Sequence, residues 1–151
     1  MNSVPLLTPQ AISQDLLNRS GHAYMTGDVN GFLSCFVLPH TISTFEAVNV
    51  ITTEDGLRDV FHAMRRYLQS NGLTDLVRRC IRADFTEHDK VKAAHETRFL
   101  AGNRLFQGPS LGLSTIRLID GAWRVSDAQY AIQDAPEHVN ALIRPRPDTP
   151  S

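Results

Sequence analysis

"LVRRCIRADFTEHDKVKAAHETRFLAG", Leu76 to Gly102, is the stretch whose reading decides the fold. Two runs of apolar and β-branched residues flank the polar turn from Thr86 to Asp89, and Gly102 closes the second run. Alternation with a period of two marks both as strands of one antiparallel pair. The second run reads most clearly. Val91, Ala93, His95, Thr97 and Phe99 form one face, and Lys92, Ala94, Glu96, Arg98 and Leu100 the other. Burying full charges is costly, so the charged set is expected to face water or a partner, which turns His95 and Thr97 inward. The same alternation applied to the first run turns Val77, Arg79, Ile81, Ala83 and Phe85 inward. An inward Arg79 needs a counter-charge, which Asp127 or Glu46 could supply.

Downstream the strands continue. A loop with Gly108-Pro109 leads into "LSTIRLI", an Asp120-Gly121 turn, and "AWRVSDAQYAI". In this last strand alternation places Trp123, Val125, Asp127 and Gln129 on the inner face. Upstream the pattern is helical. Thr8 followed by Pro9 starts a helix with its stripe at Ile12, Leu16, Leu17, Ala23 and Tyr24. Gly27 ends it, and Asp28 can cap a short second helix through "VNGFLSCF", stopped by Pro39. "TISTFEAVNVIT" reads as an extended segment or a hairpin, with the facing of Thr44 and Glu46 left open. Thr53, followed by Glu54 and Asp55, caps a third helix whose buried stripe is Leu57, Val60, Phe61, Met64 and Leu68, ended by Asn71-Gly72. Helices first and a long antiparallel meander last give an α+β class, with helices laid on one sheet face.

The 151 residues suffice for one core, expected over 1–134. The Pro-rich end, 135–151, is expected to dock on the body or a partner subunit through Val139, Leu142 and Ile143. A net charge of −1, with basic doublets only at Arg65-Arg66 and Arg78-Arg79, argues against a nucleic-acid footprint. No apolar stretch approaches the ~20 residues of a membrane span, and the first ten residues lack the pattern of a signal peptide. Cys35 and Cys80 read as free thiols of a cytoplasmic chain. The histidines show no ligand spacing, so neither a metal site nor a cofactor is expected.

"YMTGDVNGFLSCF", "TTEDGLRDVFHAM", "VKAAHETRFL" and "DGAWRV", in this order and spacing, resemble the nuclear transport factor 2-like superfamily and its SnoaL-like branch. The likeness runs from about Thr8 to Ile132. It implies a conical half-barrel: a curved, mostly antiparallel sheet around a pocket closed by three helices from the first half of the chain. It further implies a homodimer formed through the outer sheet face. The superfamily holds isomerases, dehydratases, cyclases and non-catalytic proteins, so fold does not give function.

Within such a cone His95, Asp127 and Tyr24 are the catalytic candidates: a proton carrier, its carboxylate partner and an oxyanion donor. Arg79, Thr97, Phe99, Trp123 and Gln129 are the candidate ligand contacts. Ketosteroid isomerases use an aspartate base with a tyrosine and a protonated aspartate. Laid on that pattern by the Gly27-Asp28 turn, Ser20, Thr44 and Thr115 or a neighbour fall at those places, and none has the needed chemistry. The dehydratase pattern of paired pocket histidines is half present, in His95. A cyclase-like pairing of a strand acid with a histidine is open to Asp127 and His95. Two functional readings follow. One is a pocket protein binding a small apolar or carboxylate-bearing molecule as a dimer. The other is an acid–base enzyme of lyase, isomerase or cyclase type using His95 with Asp127.

Overall fold

Three short polar side chains start the three helices. The Thr8 hydroxyl accepts from the Ala11 amide at 3.0 Å, the Asp28 carboxylate from Gly31 at 3.0 Å, and the Thr53 hydroxyl from Gly56 at 3.1 Å. Each satisfies an amide that a helix N-terminus leaves without an intrahelical partner. The computed structural model describes residues 7–45 and 47–130. The expected docking of 135–151, and the facing of Glu46, fall outside these residues.

The helices are α1 (Pro9–Thr26), α2 (Val29–Leu33) and α3 (Glu54–Ser70). Helix α1 ends where Gly27 takes the left-handed conformation, φ 82°, which a residue with a Cβ adopts only with strain. The expected extended segment is a hairpin of β1 (Phe36–Ser43) and β2 (Val48–Ile51). Strand β1 begins before Pro39, which therefore lies within a strand rather than ending a helix. The meander follows as β3 (Asp75–Glu87), β4 (Lys90–Ala101), β5 (Arg104–Ile119) and β6 (Ala122–Tyr130).

These six strands form one open, curved sheet in the order β2-β1-β6-β5-β4-β3, in which only β1 and β6 run parallel. Helix α1 packs across β3, the edge strand. There the Gln14 amide donates to the Arg78 carbonyl at 3.0 Å and accepts from the Cys80 amide at 2.9 Å. One side chain thus occupies two backbone groups of an edge that would otherwise be open to another strand. Every residue of the expected α3 stripe is buried, and it joins Tyr24, Phe32, Ile42, Phe99 and Tyr130 in the larger core cluster. A smaller cluster of Ile12, Leu16, Cys35, Val91, Ala93 and Ile116 lies nearer the other end.

Register decides what faces the helices, and two bulges change it. On β4 the reading from alternation holds: Val91, Ala93, His95, Thr97 and Phe99 are all buried. Directly opposed residues share a face. Arg78 opposes Thr97 and Cys80 opposes His95, so Leu76, Arg78 and Cys80 point inward. Val77 and Ile81 are each 44% exposed, and Arg79 lies outside, bonded to Glu96 at 3.1 Å. The inward facing expected of Val77, Arg79 and Ile81 is thereby corrected. Between Cys80 and Arg82 the register shifts by one, and beyond it Ala83 and Phe85 oppose the inward Ala93 and Val91, as alternation predicts.

The second bulge lies in β6. Ile116 pairs with Val125, but Thr115 pairs with Asp127, which leaves Ser126 as the extra residue. Trp123 and Val125 face the core side, as expected. Beyond Ser126 the phase reverses, so Ala128 and Tyr130 point inward while Asp127 and Gln129 point out.

Candidate functional site

Helix α1 lays Ser13, Leu16, Leu17, Ser20 and Tyr24 over the inner sheet face, and α2 and α3 bring Phe32, Leu57 and Val60 beside them. From the sheet come Phe36, His40 and Ile42 on β1, Arg78 on β3, His95 on β4, Ser114 and Ile116 on β5, and Val125, Ala128 and Tyr130 on β6. They surround a cavity of about 50 Å³. An engineered cavity of ~150 Å³ holds benzene, so this one suits a few waters or a compact ligand. Its wall is mostly apolar, with polar atoms from two histidines, two tyrosines, serines and one arginine. Thr97 and Phe99 line a smaller adjoining void together with Tyr24, Arg78 and Tyr130.

The histidines carry the site's chemistry. His40 and His95 are each 2% exposed. Among the described residues, His40 Nδ1 and both ring nitrogens of His95 are buried without a hydrogen-bond partner. Buried polar atoms are nearly always paired, so three orphaned nitrogens on two residues of one cavity wall mark an unusual site. Burial holds His95 down to about 3, helped by the charge of Arg78. Burial likewise brings His40 to about 4, against the opposing pull of the Asp127 carboxylate and of backbone groups at Val125 and Ser126. Both imidazoles are neutral at pH 7, each offering one donor and one acceptor. Burial raises the Tyr24 and Tyr130 phenols, with Arg78 opposing it in both.

Room for the His95 ring depends on Gly112, which opposes both His95 and Tyr130 in the sheet. A Cβ at position 112 would stand 2.7 Å from His95 Cε1 and Nε2 and 3.3 Å from Tyr130 Cε1. Gly112→Ala is expected to displace the imidazole and cost about 1–3 kcal/mol through overpacking. Denaturant unfolding reads the cost and His95 ring resonances read the displacement; a variant matching wild type in both would refute the contact.

Of the residues expected at the site, Tyr24 and His95 line the cavity, and Thr97 and Phe99 line the void beside it. Trp123 is on the inner face but packs on the smaller core cluster and on Phe85, at 6.1 Å between ring centroids. Arg79, Asp127 and Gln129 are on the outer face, so the His95–Asp127 pair does not form. Asp127 instead accepts from Ser126 Oγ at 2.7 Å and lines an outer groove of about 480 Å³ with Thr41, Ser43, Arg82, Lys92 and Arg117. Sequence reasoning missed His40, Arg78 and Tyr130. The signal for His40 is its alternation with Ile42; those for Arg78 and Tyr130 are hidden behind the bulges. Among the described residues, no three His, Cys, Asp or Glu side chains cluster closely enough to hold a metal ion. No described helix is long and apolar enough to cross a membrane.

No family model matches the chain, and no curated protein sequence does. Solved structures do. An NTF-2 like protein of unknown function from Shewanella oneidensis superposes with a TM-score of 0.64 over 83% of this chain and 100% of that one, at 8% identity. A protein of unknown function with a cystatin-like fold from Nostoc punctiforme gives 0.62 over 81% and 89%, at 17% identity. A ketosteroid isomerase-like protein from Erwinia carotovora atroseptica gives 0.60 over 83% and 97%, at 12% identity. At such identities the likeness is one of fold.

Proposed function

From the nuclear transport factor 2-like fold of this chain, we propose a small-molecule-binding protein whose ligand occupies the cavity between α1 and the inner sheet face. One observation carries this reading: two buried histidines on two strands line one cavity, and three of their ring nitrogens have no partner among the described residues. A ligand with hydrogen-bonding atoms at these points removes a desolvation cost of about 1–3 kcal/mol per orphaned group. A crystal structure of the protein as purified, inspected inside the cavity, tests it. Ligand-shaped density on His40 or His95 supports the reading, and a cavity collapsed onto its own side chains overturns it.

A second reading, acid–base catalysis of lyase, isomerase or cyclase type, draws on the convergence of Tyr24, His40, His95 and Tyr130. It fits less well. An efficient general base is matched to the operating pH, whereas these imidazoles lie near 3 and 4. Asp127, the partner expected from alternation, is across the sheet from the cavity. Binding without turnover is therefore the function we assign.

The assembly we propose is a homodimer through the outer sheet face. Leu111 and Leu113 are 45% and 40% exposed there, beside a groove carrying both Arg82, Lys92 and Arg117 and Asp84 and Asp127. Mixed signs on one patch permit the self-complementarity that a two-fold interface requires. Light scattering is expected to give twice the mass of one chain, and Leu113→Glu to shift it toward one; a monomeric wild type refutes the assembly.

A further inference from the structure

We infer, resting on the binding reading above, that the ligand is a short-chain carboxylate whose anionic head is held by Arg78. The arginines of β3 and β4 divide in a telling way. Arg79 and Arg98 share Glu96 at 3.1 and 2.9 Å, and Arg82 takes Asp84 at 3.1 Å, all on the outer face. Arg78 is turned the other way, part-buried, and its Nη1 donates to Ser20 Oγ at 2.8 Å. Among the described residues it has no carboxylate partner. A guanidinium withdrawn from water is normally matched by an anion, and its planar fork fits a carboxylate in a bidentate manner.

Position supports the assignment. The Arg78 side chain borders the main cavity, the void beside Thr97 and Phe99, and a surface cleft lined by Leu17, Gly21 and Leu76. It lies where α1 crosses β3, as a wall residue common to the surface cleft and the inner cavity. Gly21 lies against it in that cleft, with Arg78 Cδ 3.8 Å from where a Cβ would be. Beyond the guanidinium the wall turns apolar through Leu17, Phe32, Val60 and Ile116, and includes His95, whose ring nitrogens have no partner among the described residues. One charged head, one small apolar tail and a cavity of about 50 Å³ describe a monocarboxylate of few carbons. Among the described residues the wall offers a dianion no second cation.

The experiment titrates the full chain with propionate, with propionamide as its neutral isostere and with inorganic phosphate. Histidine and tyrosine ring resonances report occupancy. Saturable binding of propionate, weaker by about 10- to 100-fold for propionamide and for Arg78→Gln, is the expected result. Arg78→Lys should keep part of the affinity, since it retains the charge without the fork. Should Arg78→Gln fail to fold, the propionate–propionamide ratio on the wild type decides alone. Equal binding of the two overturns the carboxylate assignment while leaving a pocket binder. Phosphate binding as well as propionate overturns the apolar-tail assignment. No saturable shift from any probe at tens of millimolar overturns the inference, and density in the as-purified crystal judges the binding reading separately.

Discussion

Acidification from pH 7 to about 4.5 is expected to remove about 5 kcal/mol of folding stability. His40 and His95 are held near 4 and near 3 by burial, against 6.5 for an exposed imidazole. Between 6.5 and 4 the unfolded chain therefore takes up two protons that the folded chain refuses. Stability is full above 6.5 and falls with pH below it, by about 1.4 kcal/mol per pH unit for each histidine. Two histidines over roughly two units give the total. Domains of this kind have ~5–15 kcal/mol in all, so the loss is a large share. Denaturant midpoints measured across this range for wild type and His95→Gln make the check. The variant should lose about half of the slope, while carboxylates common to both cancel. Equal slopes would show that His95 is not buried neutral.

The second large effect is expected of Phe32→Ala, at about 3–5 kcal/mol. Phe32 is 1% exposed, and its ring lies 5.0 Å from Tyr24, 4.7 Å from Phe36 and 5.0 Å from Phe61, between centroids. It is the hub of an aromatic group that also forms one wall of the cavity. Truncation forfeits the buried ring and leaves space that the neighbouring rings fill only in part. The new space opens onto the existing void, so benzene should stabilise the variant and leave wild type unaffected. Thermal unfolding with and without benzene reads both results. A loss below about 1 kcal/mol, or equal stabilisation of the two proteins, would contradict the placement of Phe32.

How far the sequence discloses this arrangement depends on the range of the interactions involved. Thr8, Asp28 and Thr53 announce their helices because a cap acts over three residues, and the α3 stripe repeats within one helix. The facing of β4 is equally local, since charges alternate with small and apolar residues along it. Arg78 and Asp127 are different. Their facing depends on bulges near Cys80 and at Ser126, and one extra residue flips every side chain beyond it. Nothing in "RRCIR" or "VSDAQ" signals such a residue, because the neighbouring strand decides where the pairing slips. The outward apolar residues Val77 and Ile81 strengthened the wrong phase on β3. In the sequence Arg78 counts only as half of a basic doublet, and strict alternation makes its neighbour Arg79 the inward ligand contact. His40 was legible in principle, since His40 and Ile42 occupy alternate positions on one β1 face.

The bulge at Ser126 means that this strand encodes two different linings for the same cavity. With Ser126 bulged, Ala128 and Tyr130 look in. Were Ser126 instead paired regularly opposite Thr115, every residue beyond it would move one place along β5, Asp127 and Gln129 would take those inward places, and a carboxylate would enter the chamber that now holds Arg78 and two neutral imidazoles. A ligand chamber of this kind can change its electrical character through a slip of one residue in the pairing of one strand, with no residue of the sequence replaced. The pairing register of the last strand is then as telling as residue identity when homologues of this fold are sorted by what they hold.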